Sequence, residues 1–147
     1  MNQARETIHC EECWREGYTG RGIGVAVLDT GIFPHEDFGN RIAAFADFVQ
    51  KRPEPYDDNG HGTHISGIIG GNGSGSGGGY SGAAPECSLI CAKVLDKRGN
   101  AYASDVLSGL RAVKSEYELS CMRRAGKLHQ LVIEEVAPVL LRPGISE

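Results

Sequence analysis

Two short stretches carry groups suited to acid–base chemistry: Asp29-Thr30-Gly31 offers a carboxylate, and His61-Gly62-Thr63-His64 offers imidazoles 32 residues further on. A carboxylate that orients a histidine lets the neutral imidazole take a proton from a nucleophile and later return it to a leaving group. With a serine across the imidazole from the acid, that chemistry is acyl transfer. Two histidines three apart on a helix can instead share a metal. The glutamate that follows the first histidine of a zinc-peptidase helix is Gly62 here, however, and a catalytic zinc needs a third ligand. A second metal reading pairs Cys10 and Cys13 with Cys87 and Cys91 as four thiolates around zinc, against the alternative that these are packed or exposed free thiols.

Position follows from the flanking residues. Val25-Ala26-Val27-Leu28 is an apolar run suited to a buried parallel strand, which sets Asp29 at the strand's C-terminal edge, where ligands gather in open α/β sheets. Further strands are predicted over Ile42–Val49 and Ser88–Leu95, the first beginning at Ile23. A glycine on each side of His61 frees the backbone to place the imidazole at a helix start, and that helix should run to about Ile69, with Gly67 lying close to the sheet. Ser104-Asp105 can cap a second helix that carries Val106, Leu107, Leu110 and Val113 on one stripe. Lys51–Asn59 reads as a polar loop in which Asp57 and Asp58 form a solvated turn. Gly70–Gly79, with seven glycines in ten residues, has the composition of a flexible linker.

Composition narrows the class. The 147 residues hold 15 Lys and Arg against 19 Asp and Glu, a mildly acidic balance with no nucleic-acid footprint. No apolar run approaches membrane-spanning length, and Arg5, Glu6, Glu11, Glu12 and Arg15 interrupt the start where a secretory h-region would stand. As written the chain is expected in the cytoplasm, or outside the cell if further sequence precedes Met1. Five cysteines, an odd number without framework spacing, also favour a reducing compartment.

The turn Gly17-Tyr18-Thr19-Gly20-Arg21-Gly22 precedes the first strand, whereas a dinucleotide loop must follow one. Together with Asp29-Thr30-Gly31, His61-Gly62-Thr63-His64, Gly82-Ala83-Ala84-Pro85 and Lys93-Val94-Leu95, it resembles the subtilisin-like serine protease family in order and spacing. The resemblance implies an α/β, three-layer fold with a mostly parallel sheet, and peptide-bond hydrolysis by an Asp-His-Ser triad. It assigns Asp29 and His61 as catalytic and His64 as a structural residue behind His61. Gly99, Asn100 and Ala101 become the rim that pairs with an extended peptide or protein substrate. Asp37 and Asn72 fall at positions that can ligate a structural calcium ion, and no other cofactor is implied.

The resemblance covers roughly Trp14 to Val113 and then stops. No Gly-Thr-Ser nucleophile segment or oxyanion asparagine follows, and the downstream serines lie in the glycine run, at element starts, within helices or in the tail. Residues 1–16 read as a lead, 17–113 as the N-terminal half of a catalytic domain, and 114–147 as an unrelated tail with a helical stripe through Leu128, Leu131, Val132, Val136 and Val139. A shifted reading frame or an altered gene end would produce such a tail. The expected function is that of an incomplete serine endopeptidase, inactive alone. Two rivals remain: a non-catalytic peptide-binding module, and one half of a two-chain protease completed by a serine-bearing partner. An incomplete sheet should leave an uncovered face or edge and favour marginal stability or self-association.

Overall fold

The computed structural model describes residues 2–114, 116–131 and 134. The chain divides into two compact units, Met1–Val113 and Lys114–Glu147.

The first unit is built on three parallel strands, β1 (Gly24–Asp29), β2 (Ile42–Asp47) and β3 (Ser88–Lys93), in the order β1-β3-β2. The apolar runs that predict them form them, but β2 and β3 each stop two residues early. Asp47 ends β2 because its carboxylate turns back to accept the N–H groups of Val49, Gln50 and Arg52. β3 ends at Lys93 because Val94 and Leu95 both donate to the Asp29 carbonyl. Register places Asp29, Lys93 and Asp47 in one row across the C-terminal edge.

One face of the sheet is covered by α3 (His61–Gly70) and the loop after β1, around a core of Ile32, Phe38, Cys87, Leu89 and Cys91. The close approach of α3 to β3 comes at Gly70, where a Cβ would stand 2.8 Å from Cys87 Sγ. Gly67, expected in that role, has open space at the same point. The opposite face receives α4 (Ala103–Ala112), whose Gly109 lies against Val94, Leu28 and Ala92. Two helical layers around a parallel sheet make the fold α/β. Among the described residues β1 pairs with β3 alone, which leaves its other edge open.

Three local expectations change. The helix expected to be capped by Ser104 has its cap two residues earlier, at Tyr102, with no side-chain hydrogen bond there. Residues 70–79 are not a featureless linker: a 3₁₀ turn at Ser74–Ser76 is held by Ser76 N–H to Gly73 C=O and Gly78 N–H to the same oxygen. The lead contains α1 (Asn2–Thr7) and α2 (Cys10–Arg15), anchored where the Trp14 indole donates to the Ala83 carbonyl at 2.9 Å.

The second unit contains α5 (Glu116–Leu131). The expected stripe begins at this helix's end, and its Val132, Val136 and Val139 lie outside the described residues. Among the described residues no helix is long and apolar enough to cross a membrane.

Candidate active site

The end of β1 and the start of α3 bring the two sequence motifs together. His61 Nδ1–H donates to Asp29 Oδ1 at 2.8 Å, with Oδ2 at 3.0 Å. Asp29 Oδ1 also accepts the Thr30 N–H at 2.7 Å, so the carboxylate is fixed from two directions. The Asp29 side chain is 12% exposed and that of His61 58% exposed. The acid is therefore enclosed while the imidazole faces solvent.

Glycine makes this approach feasible. A Cβ on Gly62 would lie 2.2 Å from the Gly31 carbonyl oxygen and 3.2 Å from Asp29 Cβ, and one on Gly31 would lie 2.1 Å from the Tyr56 carbonyl oxygen. Gly31 also holds φ +126°, a region closed to most side chains. The glycines of the two motifs are thus pressed against each other, which is why each motif contains one.

Side chains from outside the helix complete the start of α3. Its first N–H groups have no helical partners of their own. The His61 N–H donates to Asn59 Oδ1 at 3.2 Å, that of Gly62 to Thr30 Oγ1 at 2.9 Å, and that of Thr63 to Asp57 Oδ2 at 2.9 Å. Asp57 also accepts from Thr30 Oγ1, Gly60 N and Thr63 Oγ1. Burial pushes its carboxyl up, but the donors from Thr63, Gly60 and Thr30 outweigh burial and hold it at about 2.

Asp57 and Asp58 are thus not the solvated turn that loop composition suggests. Asp58 Oδ1 meets Lys93 Nζ at 2.7 Å, and the Lys93 side chain is fully buried. A lysine inside the apolar run Leu89–Leu95 was the available signal, because a buried cation demands partners.

Beside the imidazole lies a depression of about 290 Å³ lined by Thr30, Asn59, His61, Leu95, Arg98 and Gly99. Of the expected rim, Gly99 therefore borders the same hollow as His61, while Asn100 and Ala101 line a separate one with Val49, Val94 and Tyr102. Asn100 exchanges both backbone hydrogen bonds with Asp96, N–H to the carboxylate and C=O from the amide, so its own peptide groups are engaged.

Cys91 is a buried thiol in the middle of β3. Burial, and then the charges of Asp57 and Asp29, push it up to about 12, which leaves it protonated at neutral pH. The four cysteines proposed for zinc do not gather. Among the described residues no three His, Cys, Asp or Glu side chains are placed to hold a metal, and His64 likewise has no such set around it.

The two positions suggested for calcium are neighbours. Asn72 N–H donates to the Asp37 carbonyl at 3.0 Å, and Gly75 N–H to Asp37 Oδ1 at 2.7 Å. Asn72 Oδ1 accepts from Ser74 N and Oγ. Both side-chain oxygens thus already face donors within the loop.

The chain is 48% identical over 112 residues to serine protease AprX of Bacillus subtilis, covering 75% of this chain and 25% of AprX. It is 33% identical to the major intracellular serine protease of the same organism over 147 aligned residues, covering 95% of this chain and 46% of that protein. A crystal structure of a cold adapted subtilisin-like serine proteinase matches with TM-score 0.56 and 36% identity, over 64% of this chain and 32% of the other. The chain therefore spans between a quarter and a half of the length of these relatives. Residues 20–122 match the Subtilase family, peptidase S8, a stretch that contains all three strands, the Asp29–His61 pair and its glycine contacts: the chain belongs to the subtilisin-like serine proteases and represents part of their domain.

Proposed function

We propose that this chain is the acid- and base-bearing part of a serine endopeptidase, in which Asp29 orients His61 and a serine supplied by further polypeptide attacks the substrate carbonyl. The observation that carries the reading is the bond from His61 Nδ1–H to Asp29. With Nδ1 protonated and bound, the lone pair is on Nε2, on the ring edge away from the acid, where a serine hydroxyl would give up its proton.

No serine of the chain has a nucleophile's context, so alone it is expected to be inactive. Loss of the nucleophile lowers turnover by about six orders of magnitude, a figure measured on subtilisin itself. The test is to add the serine-bearing remainder of a related domain, as a separate chain or fused after Val113, and follow cleavage of a fluorogenic peptide. Turnover that Asp29→Asn and His61→Ala abolish supports the proposal; a complemented protein that folds, yet cleaves as well with Asp29→Asn, removes it.

Peptide or protein substrate would lie along Gly99, Asn100 and Ala101, of which Gly99 borders the hollow beside the imidazole. Saturable peptide binding by the chain alone, unchanged in His61→Ala, would favour the binding-module reading instead. We further propose a cytoplasmic setting, since all five cysteines are unpaired, and a structural calcium at Asp37 and Asn72 that displaces the N–H donors now facing their oxygens. An unfolding midpoint unmoved by calcium removes the ion.

A further inference from the structure

The row across the strand ends holds an oddity that the Asp29–His61 pair does not use directly. Lys93 is completely buried, on the face of the sheet that carries Leu89 and Cys91. Its ammonium has three donors, and three oxygens receive them: the Thr30 carbonyl, Asp58 Oδ1 at 2.7 Å and the Leu95 carbonyl at 3.0 Å. The ammonium also lies 5.0 Å from the centre of the Tyr56 ring, whose hydroxyl donates to Asp47 at 2.7 Å.

These acceptors belong to separate stretches. Thr30 immediately follows the acid, and its N–H holds Asp29 Oδ1. Asp58 sits beside Asp57, the residue that fixes Gly60, Thr63 and the start of α3. Leu95 borders the hollow next to His61. One cation thus ties the segment after the acid to the segment before the base. Burying a lysine is unfavourable compared with a well-packed apolar side chain, which would serve stability as well or better. What an ammonium supplies and a methyl group does not is direction.

We propose that Lys93 is a positioning residue: without touching either group, it sets the separation of Asp29 and His61 by clamping the Thr30 carbonyl and Asp58. The inference rests on reading Asp29 and His61 as the acid–base pair, and its test separates the two claims.

Proton NMR of the full chain, with histidine labelled by nitrogen-15, should show a low-field Nδ1–H resonance of His61 that Asp29→Asn abolishes. If the parent chain shows none, the pair itself fails and the inference with it. Given that signal, Lys93→Met is expected to lose it, while Leu89→Val, a core change on the same strand, keeps it. The resonance surviving in folded Lys93→Met, or disappearing equally in Leu89→Val, overturns the role of Lys93. Should circular dichroism show Lys93→Met unfolded, Asp58→Ala decides in the same way, because that partner is partly exposed and its removal is milder.

Discussion

Helices α3 and α4 are both ten residues long and pack on opposite faces of the same strands, yet their first turns are constructed differently. In α3 the N–H groups of His61, Gly62 and Thr63 are received by Asn59, Thr30 and Asp57. In α4 the cap residue Tyr102 makes no side-chain hydrogen bond. The first turn of α3 presents an imidazole placed within 2.8 Å of the Asp29 carboxylate. Supporting side chains from the loops before it and from the end of β1 provide that precision. The first turn of α4 presents nothing comparable, and its place is set by packing of Gly109 on the sheet.

The contrast is broken most severely at Gly62. Alanine there would put a methyl group 2.2 Å from the Gly31 carbonyl oxygen, a backbone atom that cannot rotate away. The expected loss reaches or exceeds the ~3 kcal/mol at the upper end of ordinary overpacking. Gly67→Ala, in the same helix with open space around it, should instead gain about 0.5–1 kcal/mol from helix propensity. Urea unfolding followed by circular dichroism measures both; equal effects would mean that the two motifs do not interlock.

Next in size is Asp57. Asp57→Ala removes the acceptor for Thr63 N–H and should cost about 1–2 kcal/mol, as loss of a helix cap does. The sign with pH follows from its depressed value. Its carboxyl is held at about 2 in the folded chain against an ordinary 3.8, so its contribution is full above 3.8 and is lost as pH falls through about 2. The stability difference between the parent chain and Asp57→Asn should therefore shrink across that interval. A difference that stays constant would show that Asp57 does not act through its charge.

The same contrast explains what the sequence made readable. Val25–Leu28 and Ser88–Lys93 could be recognised because buried parallel strands are continuous apolar runs, and the Asp29 and His61 motifs because their glycines are required by contacts that leave no space for a side chain. Helix capping was not readable. Thr30 caps a helix 32 residues away, and local rules that favour Ser104-Asp105 see only neighbours in the chain. Asp57 and Asp58 have the composition of a surface turn, and only the fold brings Thr30, Thr63 and Lys93 to them. Gly99, Asn100 and Ala101 divide between two hollows, and the Asn100 N–H is held by the Asp96 carboxylate, a bond that no spacing announces.

A smaller effect of opposite sign is expected within α3 itself. Ser66 is fully buried and its hydroxyl has no hydrogen-bond partner among the described residues. An unmet buried hydroxyl costs about 1–3 kcal/mol, so Ser66→Ala should stabilise the chain by about 1 kcal/mol after the lost packing is allowed for. Destabilisation would reveal a partner for that oxygen, such as an enclosed water. Either result separates the satisfied first turn of α3 from its interior.

The smallest expected change sharpens the comparison by giving α4 what α3 has. Tyr102 holds φ −82° and ψ 141°, the extended backbone of a cap residue, and is 79% exposed, so little packing is lost when it is replaced. Tyr102→Asp places an acceptor where the N–H groups of the first turn point, and adds negative charge at the positive end of the helix. Asp105, already in that turn, repels the new carboxylate and reduces the gain. The net expectation is a stabilisation of about 0.5 kcal/mol, read as a shift in the urea midpoint. Tyr102→Asn provides the acceptor without the charge and should be insensitive to salt. If neither variant stabilises, the first turn of α4 is already satisfied by solvent, and the precision at His61 reflects the demands of the site alone.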